Sequence, residues 1–144
     1  MKDQAQSLTF DLSEYLPFQM SVISAELFNR VIEEAGLQMP EWRIMMALPS
    51  HQPCSSHELC TLTAMDAARV SRAQRRLEDL DLISVIRDED DRRRLVVCLS
   101  EKGASEVLRL NSAAQAAESK MLDGLGPEDR AQLKTAIGLL FDKV

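Results

Sequence analysis

The sequence predicts a mainly helical α+β fold in which six helices surround a single β-hairpin. Two observations carry this. Apolar residues recur at helical spacing through most of the chain, and the period changes once, to short β-branched runs between residues 83 and 99. The 45% hydrophobic content of 144 residues is ample for a packed interior.

Across residues 12–35, Leu16, Met20, Ile23, Leu27 and Val31 step by four, three, four and four, one stripe of a long helix that Gly36 ends. Pro17 falls in its first turns, so either the helix proper begins there or the stretch before it is a separate turn. A second helix starts at Pro40, in the favoured first position, and carries Trp42, Ile44, Met45 and Leu48 before Pro49 stops it. Ser55 and Ser56 are good N-caps for a short helix through Leu62, and Asp66 is another for the helix over residues 66–80. The Thr63-Ala64-Met65 turn between them makes a helix-turn-helix.

In its second helix Val70, Ala73, Leu77 and Leu80 share a packing face. The opposite side presents Ala68, Ser71, Arg72 and Arg75, with Arg69 and Arg76 on the flanks. Residues 83–87 and 95–99 then read as the strands of a hairpin whose tip is the charged stretch 88–94. Ser100 followed by Glu101 opens a long helix in which Val107, Leu110, Ala114, Ala117 and Met121 form a seam suited to close helix pairing. Pro127 starts a final helix with Leu133, Ile137 and Leu140 on one face. A winged helix-turn-helix with helices at both ends results. It divides into an N-terminal dimerisation helix (1–36), a winged unit (37–100) and C-terminal dimerisation helices (101–144). The terminal stripes have no evident cover in one chain, so a second copy is the economical partner.

The net charge of −6 argues against non-specific coating of nucleic acid, which depends on Lys and Arg neutralising phosphates. The distribution is more informative. Eight of the 17 basic residues lie between Asp66 and Arg94, and all are arginine: Arg69, Arg72, Arg75, Arg76, Arg87, Arg92, Arg93 and Arg94. Arginine makes forked, planar contacts to phosphate or guanine and inserts into narrow minor grooves. No apolar run reaches the ~18 residues of a membrane span, and residues 1–7 lack a signal-peptide pattern. The expected location is the cytoplasm. Three cysteines, Cys54, Cys60 and Cys98, without a C-x-x-C pair, fit reduced thiols.

From Tyr15 onward the chain resembles the MarR family of bacterial regulators. The resemblance rests on Pro40-Glu41-Trp42-Arg43, on Val70-Ser71-Arg72 with Arg76-Leu77-Glu78, and above all on Asp91-x-Arg93 followed by Leu99-Ser100-x-x-Gly103. It implies that the second helix of the helix-turn-helix enters the major groove of double-stranded DNA, that Arg93 reaches the adjacent minor groove, and that Asp91 orients Arg93. The chain departs from the family pattern at Asp81, where glycine is usual, and at Thr63 and Ala64 in the turn. Arg72 and Arg75 are the expected outward readers, and Arg69 and Arg76 the phosphate clamps.

The resemblance also implies a small, often aromatic, acid as effector, bound between the long helices and the winged unit. Two readings of Trp42 and Arg43 stand side by side. They are a core anchor and its ion-pair partner, or they line that pocket, with Arg43 pairing the carboxylate, Trp42 stacking, Ser21 and Ser24 supplying hydrogen bonds and methionines an adaptable wall. Cys54, His57 and Cys60 have the look of metal ligands, but a fourth is not evident and no metal or cofactor is expected. The peroxide-sensing branch of the family uses a cysteine in the first helix, where this chain has none, which leaves Cys54, in a loop, as the candidate reactive thiol. His51 and His57 have no nucleophile or carboxylate pair around them, so catalysis is set aside. The rival to a DNA-binding repressor is a winged helix that docks on another protein.

Overall fold

A computed structural model describes residues 10–144; the N-terminal signal-peptide reading falls on residues outside that range. After a 3-10 turn at Leu12–Glu14, the elements are α1 (Leu16–Ile32), α2 (Met39–His51), α3 (Ser56–Thr63), α4 (Ala67–Asp79), β1 (Ile83–Arg87), β2 (Leu95–Leu99), α5 (Glu101–Leu122) and α6 (Pro127–Phe141). The turn before α1 settles the choice that Pro17 left open: Asp11 caps the turn through Ser13, and the α-helix begins at Leu16 with the proline in its first turn. No helix among the described residues is long and apolar enough to cross a membrane.

One expectation fails at α2. Pro49 does not stop the helix, which runs on to His51. A proline in the last turn removes one donor only, and the Gln52 N–H still closes on the Leu48 carbonyl at 2.8 Å. At the other end Gln38 and Glu41 form a reciprocal cap, so the helix begins at Met39, one residue before Pro40.

The core joins α2, α4, the hairpin and the start of α5. Ile44, Met45, Leu48, Leu59, Val70, Leu77 and Leu110 are fully buried, and Val31, Ile32 and Leu37 bring in the end of α1. β1 and β2 pair antiparallel with Val85 opposite Val97, and Cys54 adds an isolated bridge to Val97 on the other side of β2. The seam expected on α5 for a partner copy is divided. Val107 and Leu110 are buried within the chain's own core, and Ala114 and Ala117 pack against it; α5 lies along α1 of the same chain. Among the described residues, large apolar side chains stay exposed on the N-terminal part of α1, including Leu16, Val22 and Ile23, on α5 at Leu108 and Met121, and on α6, which has no buried residue.

The Leu99-Ser100-x-x-Gly103 motif is accounted for by packing. Ser100 caps α5, its hydroxyl accepting from the Gly103 N–H at 2.9 Å and donating to the Asp81 carbonyl at 2.6 Å. Its own N–H donates to the Leu82 carbonyl at 3.1 Å. That carbonyl lies 1.9 Å from where a Cβ on residue 103 would sit, so only glycine lets α5 begin against the end of the loop after α4. Gly103→Ala is expected to destabilise the fold by ~1–3 kcal/mol or more, as overpacking against backbone does; thermal unfolding measures it, and an unchanged midpoint would contradict the close approach.

Candidate nucleic-acid interface

The elements expected to face DNA are built from caps and turns. Ser55 and Glu58 form a capping box at the start of α3. The chain then turns through Ala64, which takes the left-handed conformation (φ 52°) that the family's usual glycine would favour. Thr63 is buried there because its hydroxyl is satisfied by the Leu59 carbonyl. Asp66 caps α4, accepting from the Arg69 N–H at 2.8 Å, and that bond holds its carboxyl below the usual carboxylate range. Two residues past the end of α4, Asp81 is also left-handed at φ 58°, with the Leu82 N–H bonded to the Leu77 carbonyl. Ala64 and Asp81 thus keep the backbone that glycine would give, at the steric cost of a Cβ.

Val70, Ala73, Gln74 and Leu77 form the inner face of α4. Gln74, absent from the expected packing face, is buried because its amide oxygen accepts from the Ser56 hydroxyl at 2.9 Å, tying α4 to α3. Leu80, placed on that face by its spacing, is half-buried at the helix end. Ala68, Arg69, Arg72, Arg75 and Arg76 are exposed and Ser71 is half-buried.

The arginines divide by what already holds them. Arg69 lies 3.5 Å from Asp66. Arg76 sits 3.6 Å from the buried Glu41 carboxylate and donates to the Gly36 carbonyl at 3.3 Å, which pins α4 to the start of α2 and the turn before it. Arg72 and Arg75 have no ion-pair partner among the described residues, so their guanidiniums are available outward.

In the wing, Asp91 acts differently from what the Asp-x-Arg spacing implies. Its carboxylate accepts the Arg93 backbone N–H at 3.0 Å rather than holding the guanidinium, so it fixes the turn and not the side chain. Asp88 accepts from the Asp90 and Asp91 N–H groups, and Arg94 closes the turn through its N–H to the Asp91 carbonyl at 2.9 Å. Arg87 donates to the Arg92 carbonyl at 2.8 Å. The Arg94 guanidinium crosses to Glu58 on α3. Arg92 and Arg93 are left exposed and unpaired among the described residues.

Glu58 was not among the expected site residues. The Ser-x-x-Glu spacing of a capping box is visible in the sequence, but its partner 36 residues away is not. The Ser55 N–H, the Ser55 hydroxyl and Arg94 hold the Glu58 carboxyl at about 2, so it is ionised throughout the neutral range.

The expected ligand residues are not gathered in one place. Arg43 donates to the Thr63 carbonyl at 3.1 Å and opens into a cleft of about 450 Å³ between α2 and α4, shared with Arg69, Arg72 and Arg76 over a floor of Met39, Met65 and Ala73. Trp42 instead stacks edge-on against Phe28 of α1, with centroids 4.7 Å apart, and its indole N–H is buried with no acceptor among the described residues. Ser21 spends its hydroxyl on the Phe18 carbonyl of its own helix, and Ser24 is exposed. Cys54 is buried, and desolvation pushes its thiol above the usual range, which is the reverse of what a reactive thiolate needs. The loop position that suggested reactivity is overturned by the Val97 bridge that pulls Cys54 inward.

Comparison with known proteins agrees with this geometry. The family model described as MarR family matches residues 35–94, from the turn before α2 to the tip of the wing, just short of β2. The HTH-type transcriptional repressor NicR of Pseudomonas putida is 28% identical over 116 residues, covering 81% of this chain and 73% of NicR. A crystal structure of a probable transcriptional regulator from Pseudomonas aeruginosa is 31% identical, with a TM-score of 0.79 over 90% of this chain and 99% of that one. BpsR of Bordetella bronchiseptica, studied for the regulation of its DNA binding by 6-hydroxynicotinic acid, has the same fold at 23% identity and a TM-score of 0.79, covering 93% of this chain and 98% of BpsR. These relatives are transcription regulators rather than enzymes. With a capped recognition helix, an Arg-bearing wing and a matching family model in one continuous unit, the chain belongs to the MarR family of winged helix-turn-helix, DNA-binding transcription regulators.

Proposed function

We propose that the chain is a ligand-responsive repressor that binds a pseudo-palindromic operator as a homodimer and is released by a small, often aromatic, acid. The observation that carries the DNA part is a set of four arginines without ion-pair partners among the described residues, Arg72 and Arg75 on α4 and Arg92 and Arg93 on the wing, on a chain of net charge −6. Ala68 and Ser71 lie among them, small enough to let α4 enter a major groove, and Arg69 and Arg76 can add phosphate contacts at the flanks. Dimerisation through α1, α5 and α6 would set two recognition helices about 34–36 Å apart, one turn of duplex.

For the effector, support comes from the Arg43 guanidinium, which opens into the cleft between α2 and α4 where an acid could pair with it. NicR is named a repressor and BpsR is regulated by an aromatic acid; both properties are proposed for this chain. Release needs the acid to bind the DNA-incompetent arrangement more tightly, by about 1–3 kcal/mol of coupling.

The test is duplex binding to the chain's own promoter DNA across a salt series. Affinity should fall steeply, with a log–log slope of about −0.9 per phosphate neutralised. A flat dependence would favour the rival reading, a winged helix that docks on protein. In parallel, aromatic acids should raise the melting temperature and weaken the complex, and failure of every acid to stabilise the protein would remove the effector while leaving DNA binding intact.

A further inference from the structure

We propose that Arg94 is a positioning residue that, through Glu58, tethers the wing to α3 and presets where Arg92 and Arg93 meet DNA. By charge and position Arg94 looks like a third wing arginine for phosphate. The geometry assigns it otherwise. Its guanidinium is hydrogen-bonded and ion-paired to the Glu58 carboxylate, and Glu58 is itself fixed by the N–H and hydroxyl of Ser55 at 2.7 and 2.9 Å. Glu58 is therefore anchored to the first turn of α3, and α3 is anchored to α4 through Ser56 and Gln74. On the wing side, the Arg94 N–H and carbonyl both close the turn, bonding to the Asp91 carbonyl and the Asp88 N–H at 2.9 Å each. One residue thus joins the hairpin tip to the helix-turn-helix by main chain and side chain together.

An exposed ion pair of this kind adds little to global stability. Its value lies in order. A hairpin tip beyond the reach of the core would lose conformational freedom when it entered a groove, and a tether that holds it beforehand removes that cost without adding any contact to DNA. This assignment rests on the wing's contact with DNA proposed above.

Because Arg94→Ala keeps both backbone bonds of the turn, and Glu58→Gln keeps an acceptor for Ser55, both full-length variants should fold. Binding of each, of the double variant and of Arg93→Ala to the promoter duplex is measured over a salt series. The tether predicts that Arg94→Ala weakens binding roughly tenfold and Glu58→Gln several-fold, that the double variant is no weaker than Arg94→Ala, and that the salt slope stays at the parent value. Arg93→Ala, which removes a direct contact, should instead lower the slope by about 0.9 for each phosphate that is no longer neutralised.

The opposite results are as definite. If Arg94 touched DNA, Glu58→Gln would free it and remove a negative charge, so binding would tighten. Arg94→Ala would then reduce the slope. Either of these overturns the tether while leaving the DNA reading in place. A parent protein whose duplex binding is insensitive to salt would remove both.

Discussion

Arg72→Ala is expected to weaken operator binding by ~1–3 kcal/mol for each half-site it contacts, with relaxed preference at one base position rather than a uniform loss. Arg72 is exposed on the outer face of α4, with Ser71 and Arg75 beside it and no acidic partner to satisfy it among the described residues. A forked guanidinium in that position pairs with the two acceptors on the major-groove edge of guanine. Arg93→Ala is expected to cost a similar amount but to read differently. Its loss should be felt where the minor groove is narrow and A·T-rich, because the attraction there is to groove potential rather than to a base edge. Competition binding against operators altered one base pair at a time separates the two. Dimers carrying either substitution that bound the operator as the parent does would contradict the interface.

Placing aspartate at both Ile137 and Leu140 is expected to convert the proposed dimer to monomers and to lower operator affinity by about 100-fold or more. Each side chain is a little over two-fifths exposed in the single chain, and α6 as a whole buries nothing. Leu16 and Ile23 on α1 are exposed as well, and apolar side chains left uncovered in this number fit the proposed dimer interface. Two charges buried in it would have no partners. Since two half-sites bound together gain ~10²–10⁴ over one, a monomer would lose most of the affinity even with α4 and the wing intact. Sedimentation reads the mass, and gel shift on full and half operators reads the avidity. A variant that stayed dimeric would move the interface off α6.

Local signals made most of this fold legible in the sequence. Ser55, Asp66 and Ser100 announce helix starts because a short polar side chain satisfies backbone N–H groups within three residues, and all three cap as expected. The hairpin strands lie where the β-branched runs lie, at Ile83–Arg87 and Leu95–Leu99. Long-range partners were not legible. Nothing near Arg76 in the chain marks Glu41 or Gly36 as its neighbours, and nothing near Asp91 shows that its carboxylate serves a backbone N–H instead of the Arg93 guanidinium. The α5 seam misled for a related reason: a helical stripe reports that something covers it, and Val107 and Leu110 are covered by their own chain. Trp42 and Arg43 are adjacent in sequence, yet one turns to Phe28 and the other to the turn before α4, so adjacency on a helix did not make a shared pocket.

The uncovered helix α6 has a thermodynamic consequence of its own. With this apolar surface covered by the second copy proposed above, folding and association become one equilibrium, so the melting temperature should climb with protein concentration as mass action requires. The number of molecules in a cell then sets more than how many operators are filled. It sets what fraction of the chains is assembled at all, and occupancy should rise more steeply than in proportion to dose where that fraction is small.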